Sequence, residues 1–276
     1  MKVLFCGDIV GRAGRDAVIK EVPRLRRELG LDFVAVNGEN AAAGFGITAK
    51  ICGELHEAGV DCITTGNHVW DQREIVSYIA QDKRLLRPIN FPPGTPGWGA
   101  NLFQTARGQK VVVINVMCRL FMDALDDPFR TVDAELAKYM LGSTAQFILI
   151  DVHGEATSEK QSMGHYCDGR VSAVLGTHSH IPTADGWVLP GGTAYQTDVG
   201  MCGDYQSVIG MNHDEPVRRF LHKVPGERFS PAEGPATIAG LAVEIDDATG
   251  LALAVAPLRL GGVLAEEIPA FLTPVP

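Results

Sequence analysis

Five short polar clusters carry residue types suited to metal chemistry: Asp8; Asn37, Glu39 and Asn40; Asn67 and His68; His153; and His178 with His180. Carboxylate oxygens, imidazole nitrogens and amide oxygens are the donors that hold Mn²⁺, Fe or Zn²⁺ in hydrolytic sites. So many donors exceed what one four- to six-coordinate ion needs. Two ions ~3.5–4 Å apart, with one carboxylate between them, would use most of the set. In extended chain His178 and His180 would point to the same side with Cα atoms ~6.7 Å apart, a reach that suits one histidine per ion.

Taken singly, each cluster has an ordinary reading. An Asp after a strand is most often a cap or turn residue, Gly66-Asn67-His68 can be a plain turn, and a His-x-His can be a surface pair. Their joint occurrence at successive strand ends is what points to a metal site. The remaining histidines stay outside it. His56 reads as a solvated helix residue, His213 and His222 lie near charges with no ligand spacing, and His165 has no clear role. No Gly-x-Ser-x-Gly nucleophile elbow occurs.

The elements that must position these clusters are short apolar runs, each closed by polar residues. Residues 3–6 end at Gly7-Asp8, 33–36 at Asn37-Gly38-Glu39-Asn40, and 62–65 at Gly66-Asn67-His68. The run 147–150 continues to His153, and 171–175 ends at Gly176-Thr177-His178-Ser179-His180. Such runs predict strands buried on both faces. Helical spacing predicts helices over 16–29, where Pro23 weakens the middle, over 48–58 with Thr48 as N-cap, over 71–80 and over 131–141. Ile51 at N3 leaves Thr48 without a capping box. A strand is expected over 110–116, and strands 236–245 and 251–258 form a hairpin with a longer loop. Separations near 30 residues between the first clusters match βαβ units, whose parallel strands bring their C-terminal ends to one edge, where ligand sites form.

Composition narrows the function classes. The 276 residues carry 24 basic and 33 acidic side chains, a net charge of −9, with no basic block. That disfavours a protein gripping long nucleic acid by its phosphates. A hydrophobic fraction of 46% fits a folded chain rather than a disordered one. The six cysteines form no Cys-x-x-Cys pair and read as reduced, buried thiols. The first apolar stretch is too short for a signal peptide, and no run approaches the ~20 apolar residues of a membrane span, so the expectation is a cytoplasmic protein with no membrane partner. The glycines at 7, 11 and 14 do not follow the dinucleotide spacing G-x-G-x-x-G, and Asp8 would set negative charge beside a bound phosphate. One domain, residues 1–276, is expected.

In this order the motifs resemble the calcineurin-like metallophosphoesterases, and more closely their YmdB-like branch of 2′,3′-cyclic-nucleotide 2′-phosphodiesterases. The resemblance covers nearly the whole chain. It rests on Gly7-Asp8-Ile9-Val10-Gly11, Asn37-Gly38-Glu39-Asn40, Gly66-Asn67-His68-Val69-Trp70-Asp71, the stretch from Asp151-Val152-His153-Gly154-Glu155 to Lys160, Gly176-Thr177-His178-Ser179-His180 and Thr197-Asp198-Val199-Gly200-Met201. Two departures from the broad superfamily stand out. The usual Asp-x-His of the first strand is Asp8-Ile9-Val10, and Glu39 followed by Asn40 replaces the usual bridging Asp.

The resemblance implies a four-layer α/β/β/α sandwich and two metal ions per chain, with Fe or Mn foremost and Zn or Mg acceptable. It implies that one ion takes Asp8, Glu39, Asn40 and His180, and the other Glu39, Asn67, His153 and His178. A hydroxide between the ions would attack phosphorus while His68 protonates the leaving oxygen. The implied partners are small phosphodiesters or nucleotides, with homo-oligomerisation plausible from the family. Two rivals remain open at this point: another phosphodiester or phosphomonoester substrate, and a regulatory or scaffold protein that binds RNA or a partner with little turnover.

Overall fold

A computed structural model describes residues 1–224 and 226–272. In chain order the elements are β1 (Lys2–Cys6), β2 (Asp8–Ile9), α1 (Gly11–Leu29), β3 (Phe33–Asn37), α2 (Ala49–Glu57), β4 (Cys62–Thr64), α3 (Ile75–Tyr78), β5 (Ala100–Gln104), β6 (Lys110–Met117), α4 (Pro128–Leu136), β7 (Phe147–His153), α5 (Thr157–Cys167), β8 (Ala173–Thr177), β9 (Trp187–Val188), β10 (Ala194–Gln196), β11 (Met201–Asp204), α6 (Asp214–His222), β12 (Ala236–Ile245) and β13 (Ala252–Leu260). They build two sheets. One runs β2-β11-β12-β1-β3-β4, with β13 also paired to β12, and the other runs β5-β6-β7-β8-β10-β9. Parallel pairing joins β1, β3 and β4 in the first sheet and β6, β7, β8 and β10 in the second.

Alternation along the strands explains why they read as unbroken apolar runs. Val3 and Phe5 of β1 and Phe33 and Ala35 of β3 meet Val111, Val113, Phe147 and Leu149 of the second sheet in a core between the sheets. The intervening Leu4, Cys6, Val34 and Val36 face outward onto Val18, Val22 and Leu25 of α1 and Ile51 and Leu55 of α2. On the other side Val112, Ile114, Ile148 and Ile150 face Val132 and Leu136 of α4 and Met163 and Cys167 of α5. The order helix, sheet, sheet, helix is the α/β/β/α sandwich. Each large apolar side chain buried this way contributes roughly 1.5–3 kcal/mol.

Several sequence expectations move. The first helix starts at Gly11 rather than 16 and continues through Pro23. A mid-helix proline costs about 3 kcal/mol, which the buried stripe of Val18, Val22, Leu25 and Leu29 offsets. Thr48 does cap α2, its hydroxyl accepting from Ile51 N at 3.3 Å. The helix expected over 71–80 is helical only at Ile75–Tyr78. Ahead of it, Asp71 bonds His68 and the Gln72 amide donates to the Phe45 carbonyl, which ties this stretch down in turns. The helix expected over 131–141 is Pro128–Leu136, because the Asp127 carboxylate caps Phe129 N and Arg130 N, each at 3.0 Å. The strand expected at 171–175 is Ala173–Thr177. The hairpin of β12 and β13 forms as expected, β13 running Ala252–Leu260. His56 is not solvated: its side chain is 3% exposed, with Nδ1 facing the Val60 carbonyl and Nε2 3.1 Å from Asp82 Oδ2.

Candidate metal centre

Parallel strands of both sheets deliver the polar clusters to one edge. Asp8 follows β1 and pairs with Met201 in register, Glu39 and Asn40 follow β3, and Asn67 and His68 follow β4. His153 ends β7, and His178 and His180 follow β8. The donor atoms of Glu39, His153 and His178 lie within 4.8 Å of one another, as do those of Asp8, Glu39 and His180. Glu39 belongs to both groups.

In the first group three acceptor-type atoms crowd His153 Nε2: Asn67 Oδ1 at 2.9 Å, Glu39 Oε1 at 3.2 Å and His178 Nδ1 at 3.2 Å. His153 Nδ1 lies 2.9 Å from Thr177 Oγ1, whose own hydroxyl donates to Asp151 Oδ1 at 2.7 Å. That hydroxyl can therefore only accept from Nδ1–H, which turns the Nε2 lone pair toward the cluster. In the second group His180 Nδ1 donates to the Ile209 carbonyl at 2.8 Å, aiming Nε2 the same way, 3.9 Å from Asp8 Oδ1. The Asn40 amide nitrogen faces Glu39 Oε1 and His180 Nε2, each at 3.1 Å. For Asn40 to serve a cation through its oxygen, this near-isosteric amide would turn over.

Electrostatics shows that the cluster wants positive charge. Asp8 Oδ1 is buried with no hydrogen-bond partner among the described residues, an unmet acceptor of the kind that normally costs about 1–3 kcal/mol. Burial pushes the Asp8 carboxyl up to about 6, against the pull of His180 and His153. Burial would also raise Glu39, but the His153 imidazole beside it holds its carboxyl down at about 2. Burial would lower His153, yet the Glu39 carboxylate keeps it up at about 9. Converging lone pairs that must share a proton, next to an orphaned carboxylate oxygen, fit a site built for cations. Burial raises Asp151, behind the site, to about 6.

The loop carrying the two histidines is not the extended chain expected from the sequence. His178 has φ 97° and His180 φ 65°, left-handed conformations that cost about 1–3 kcal/mol each for non-glycine residues. Backbone bonds hold them: His178 N donates to Asp8 Oδ2 at 3.1 Å and Ser179 N to Asp198 Oδ2 at 2.9 Å. The twist sends His178 to one group and His180 to the other. At Gly66 there is no room for a side chain, since a Cβ would run into His153 and Glu39.

His68 stands at the rim. Its Nδ1 is 2.8 Å from Asp71 Oδ2, its backbone N–H donates to Glu39 Oε2 at 3.2 Å, and the Phe45 ring meets it edge-on at 5.1 Å. His68, Glu39, Asn40, His178 and His180 are among the residues that line a cavity of about 580 Å³. Asn37, first grouped with the strand-end donors, turns away and donates to Asp151 Oδ2 at 3.1 Å. Sequence reasoning gave no role to Asp151, Thr177, Lys160 or Asp198, the residues that hold the donors from behind. All four lie within the motifs that carry the family resemblance, and the carboxylate of Asp151 inside the apolar run of β7 was a further signal.

A two-sheet sandwich with this polar edge has the architecture of the metallophosphoesterase class. The chain belongs to the YmdB-like protein family, whose model matches residues 4–258. It is 47% identical over 249 residues to the 2′,3′-cyclic-nucleotide 2′-phosphodiesterase of Bacillus subtilis strain 168, covering 90% of this chain and 93% of that protein. Among solved structures, a hypothetical protein from Thermus thermophilus superposes with a TM-score of 0.88 at 42% identity, covering 95% of this chain and 100% of that one. A phosphatase from Mycoplasma pneumoniae gives 0.86 at 32% identity, covering 99% and 96%.

Proposed function

We propose that this chain is a metal-dependent phosphodiesterase that opens 2′,3′-cyclic nucleotides to 3′-nucleotides. The observation that carries the reading is Glu39, one carboxylate common to both donor groups. The name of the Bacillus subtilis relative supports the substrate class. One ion would be held by Asp8, Glu39, Asn40 and His180, the other by Glu39, Asn67, His153 and His178. The mixed oxygen and nitrogen donors accept Fe, Mn or Zn. When bound, such ions polarise phosphoryl oxygens and lower the pKa of water.

The chain's own residues supply orientation and the proton. Asp71 fixes the His68 ring through Nδ1, which leaves Nε2 for the substrate. As the water oxygen bonds to phosphorus, losing one proton to solvent, and the bond from phosphorus to O2′ breaks, protonated His68 gives its Nε2 proton to O2′, leaving the 3′-monoester and a neutral imidazole that solvent reprotonates. Thr177 and the Ile209 carbonyl keep His153 and His180 in the tautomer that presents Nε2. All six cysteines are free and buried, which fits the reducing cytoplasm, where we place the protein.

The test is incubation of metal-reconstituted protein with 2′,3′-cyclic AMP, with p-nitrophenyl phosphate alongside. The expected result is 3′-AMP as the main product and slower monoester cleavage. No turnover of the cyclic nucleotide, or faster cleavage of the monoester, overturns the reading.

A further inference from the structure

The cavity of about 580 Å³ extends well beyond the metal-type donors. Val208, Ile209, Met211, Phe229 and residues of α6 line it as well. A phosphodiester group seated at the donors would leave this largely apolar part of the cavity empty. The volume lies in the range that houses a whole small molecule.

Three features make this part of the cavity a built surface rather than a gap. The Arg219 guanidinium lies 3.9 Å over the Phe229 ring. It is held there because its Nε donates to Glu215 Oε1 at 2.6 Å and its Nη2 to the Glu227 carbonyl at 2.5 Å. Phe220, next on the same helix, lines the cavity yet is 73% exposed, a large ring in contact with water. Lys223, the left-handed C-cap of α6, brings a second cation to the same cavity, its Nζ 5.3 Å from the Phe220 ring centre.

The wall is also fixed relative to the donors. Val208 and Met211 bond each other across a tight turn, with Ile209 at φ 47° and Gly210 at φ 92°. The Ile209 carbonyl in that turn is the partner of His180 Nδ1. One hydrogen bond therefore sets the distance between the apolar wall and a metal-type histidine.

We infer that the part of the cavity lined by Arg219, Phe220 and Phe229 is the subsite for the heterocyclic base of the substrate. The base stacks against the Arg219–Phe229 pair and Phe220, while the phosphodiester sits at the donors. Bases are recognised by stacking on aromatic rings and guanidinium planes, and each such stack contributes appreciably to affinity. A substrate with no base would gain nothing there. The inference rests on the phosphodiesterase reading for the orientation of the ligand.

The experiment compares kcat/KM for 2′,3′-cyclic AMP and for ethylene phosphate, a five-membered cyclic phosphodiester with no base, in the wild type, Phe220→Ala and Arg219→Ala. Phe220 is solvent-facing, so its truncation spares the core, and circular dichroism checks both variants. The expected result is a nucleotide-to-ethylene-phosphate ratio that falls about tenfold or more in each variant, carried by KM. A ratio unchanged in both overturns the subsite. Equilibrium titration with 3′-AMP against ribose 3-phosphate repeats the comparison without turnover. Loss of the 3′-AMP preference in the variants supports the subsite even where the cyclic diester is not cleaved, and equal affinity of the wild type for the two ligands overturns it. Failure of the wild type to cleave either diester counts against the phosphodiesterase reading alone.

Discussion

Lys160 Nζ lies 2.9 Å from Asp198 Oδ2, with both side chains removed from water. The same carboxylate oxygen accepts from Ser179 N, and its other oxygen from Gly200 N, each at 2.9 Å. The pair thus grips the middle of the strained turn between His178 and His180. Lys160→Met leaves a buried carboxylate without its counter-charge, a loss of about 3–5 kcal/mol. Thermal unfolding should show a large drop in Tm, and the surviving protein should bind metal more weakly. An unchanged Tm would remove the pair from the set of supports for the site.

Gly66→Ala tests the closeness of the donors to the backbone. The added methyl collides with His153 and Glu39, so those side chains must move while the two sheets stay packed. Metal affinity should fall about 10–100-fold or more, the scale for disturbed ligand support, with a near-native circular dichroism spectrum. Metal content equal to the wild type's would show that the cluster tolerates displacement.

His68→Ala should lower kcat by roughly 10²–10⁴-fold, the usual contribution of a general acid, with metal content unchanged. Asp71→Asn keeps the hydrogen bond to His68 Nδ1 but removes the charge, so a smaller loss is expected. If His68→Ala depletes metal instead, the histidine acts by holding the site together and not by donating a proton.

Far from the site, Asp82 predicts a pH dependence of stability. Burial would raise its carboxyl, but the His56 ring, the Arg84 N–H and the Tyr78 hydroxyl together hold it at about 2, against an ordinary 3.8. A folded value below the unfolded one means that the stabilisation is complete above about pH 4 and is lost as pH falls through 2. Asp82→Asn should therefore cost about 2 kcal/mol near pH 7, and the gap to wild type should close between pH 4 and 2. Urea titrations across that range measure it. A gap constant with pH would contradict the pairing.

How much of this was legible in the sequence follows from what each element buries. β1, β3, β6 and β7 bury both faces in apolar neighbours, so their runs and polar ends stood out. α5 escaped notice because its buried face includes Glu159 and Lys160 beside Met163 and Cys167, which breaks the apolar stripe. The expected helix at 71–80 failed because side-chain bonds from Asp71 and Gln72 outweighed helical spacing. His56 looked exposed because its partner Asp82 is 26 residues away. The donors were legible because strand ends are fixed by local pattern. Their supports were not: Asp198 meets Lys160 and Thr177 meets Asp151 only through tertiary folding.

The most direct test of the two-ion centre is the metal content of Glu39→Gln beside wild type, both loaded with Mn²⁺ and analysed for bound metal per folded chain. Because Glu39 is common to both donor groups, wild type should hold about two ions per chain, and the variant should lose occupancy of both together with its turnover of 2′,3′-cyclic AMP. A variant that keeps both ions and its activity would contradict the shared carboxylate, and with it the proposed centre.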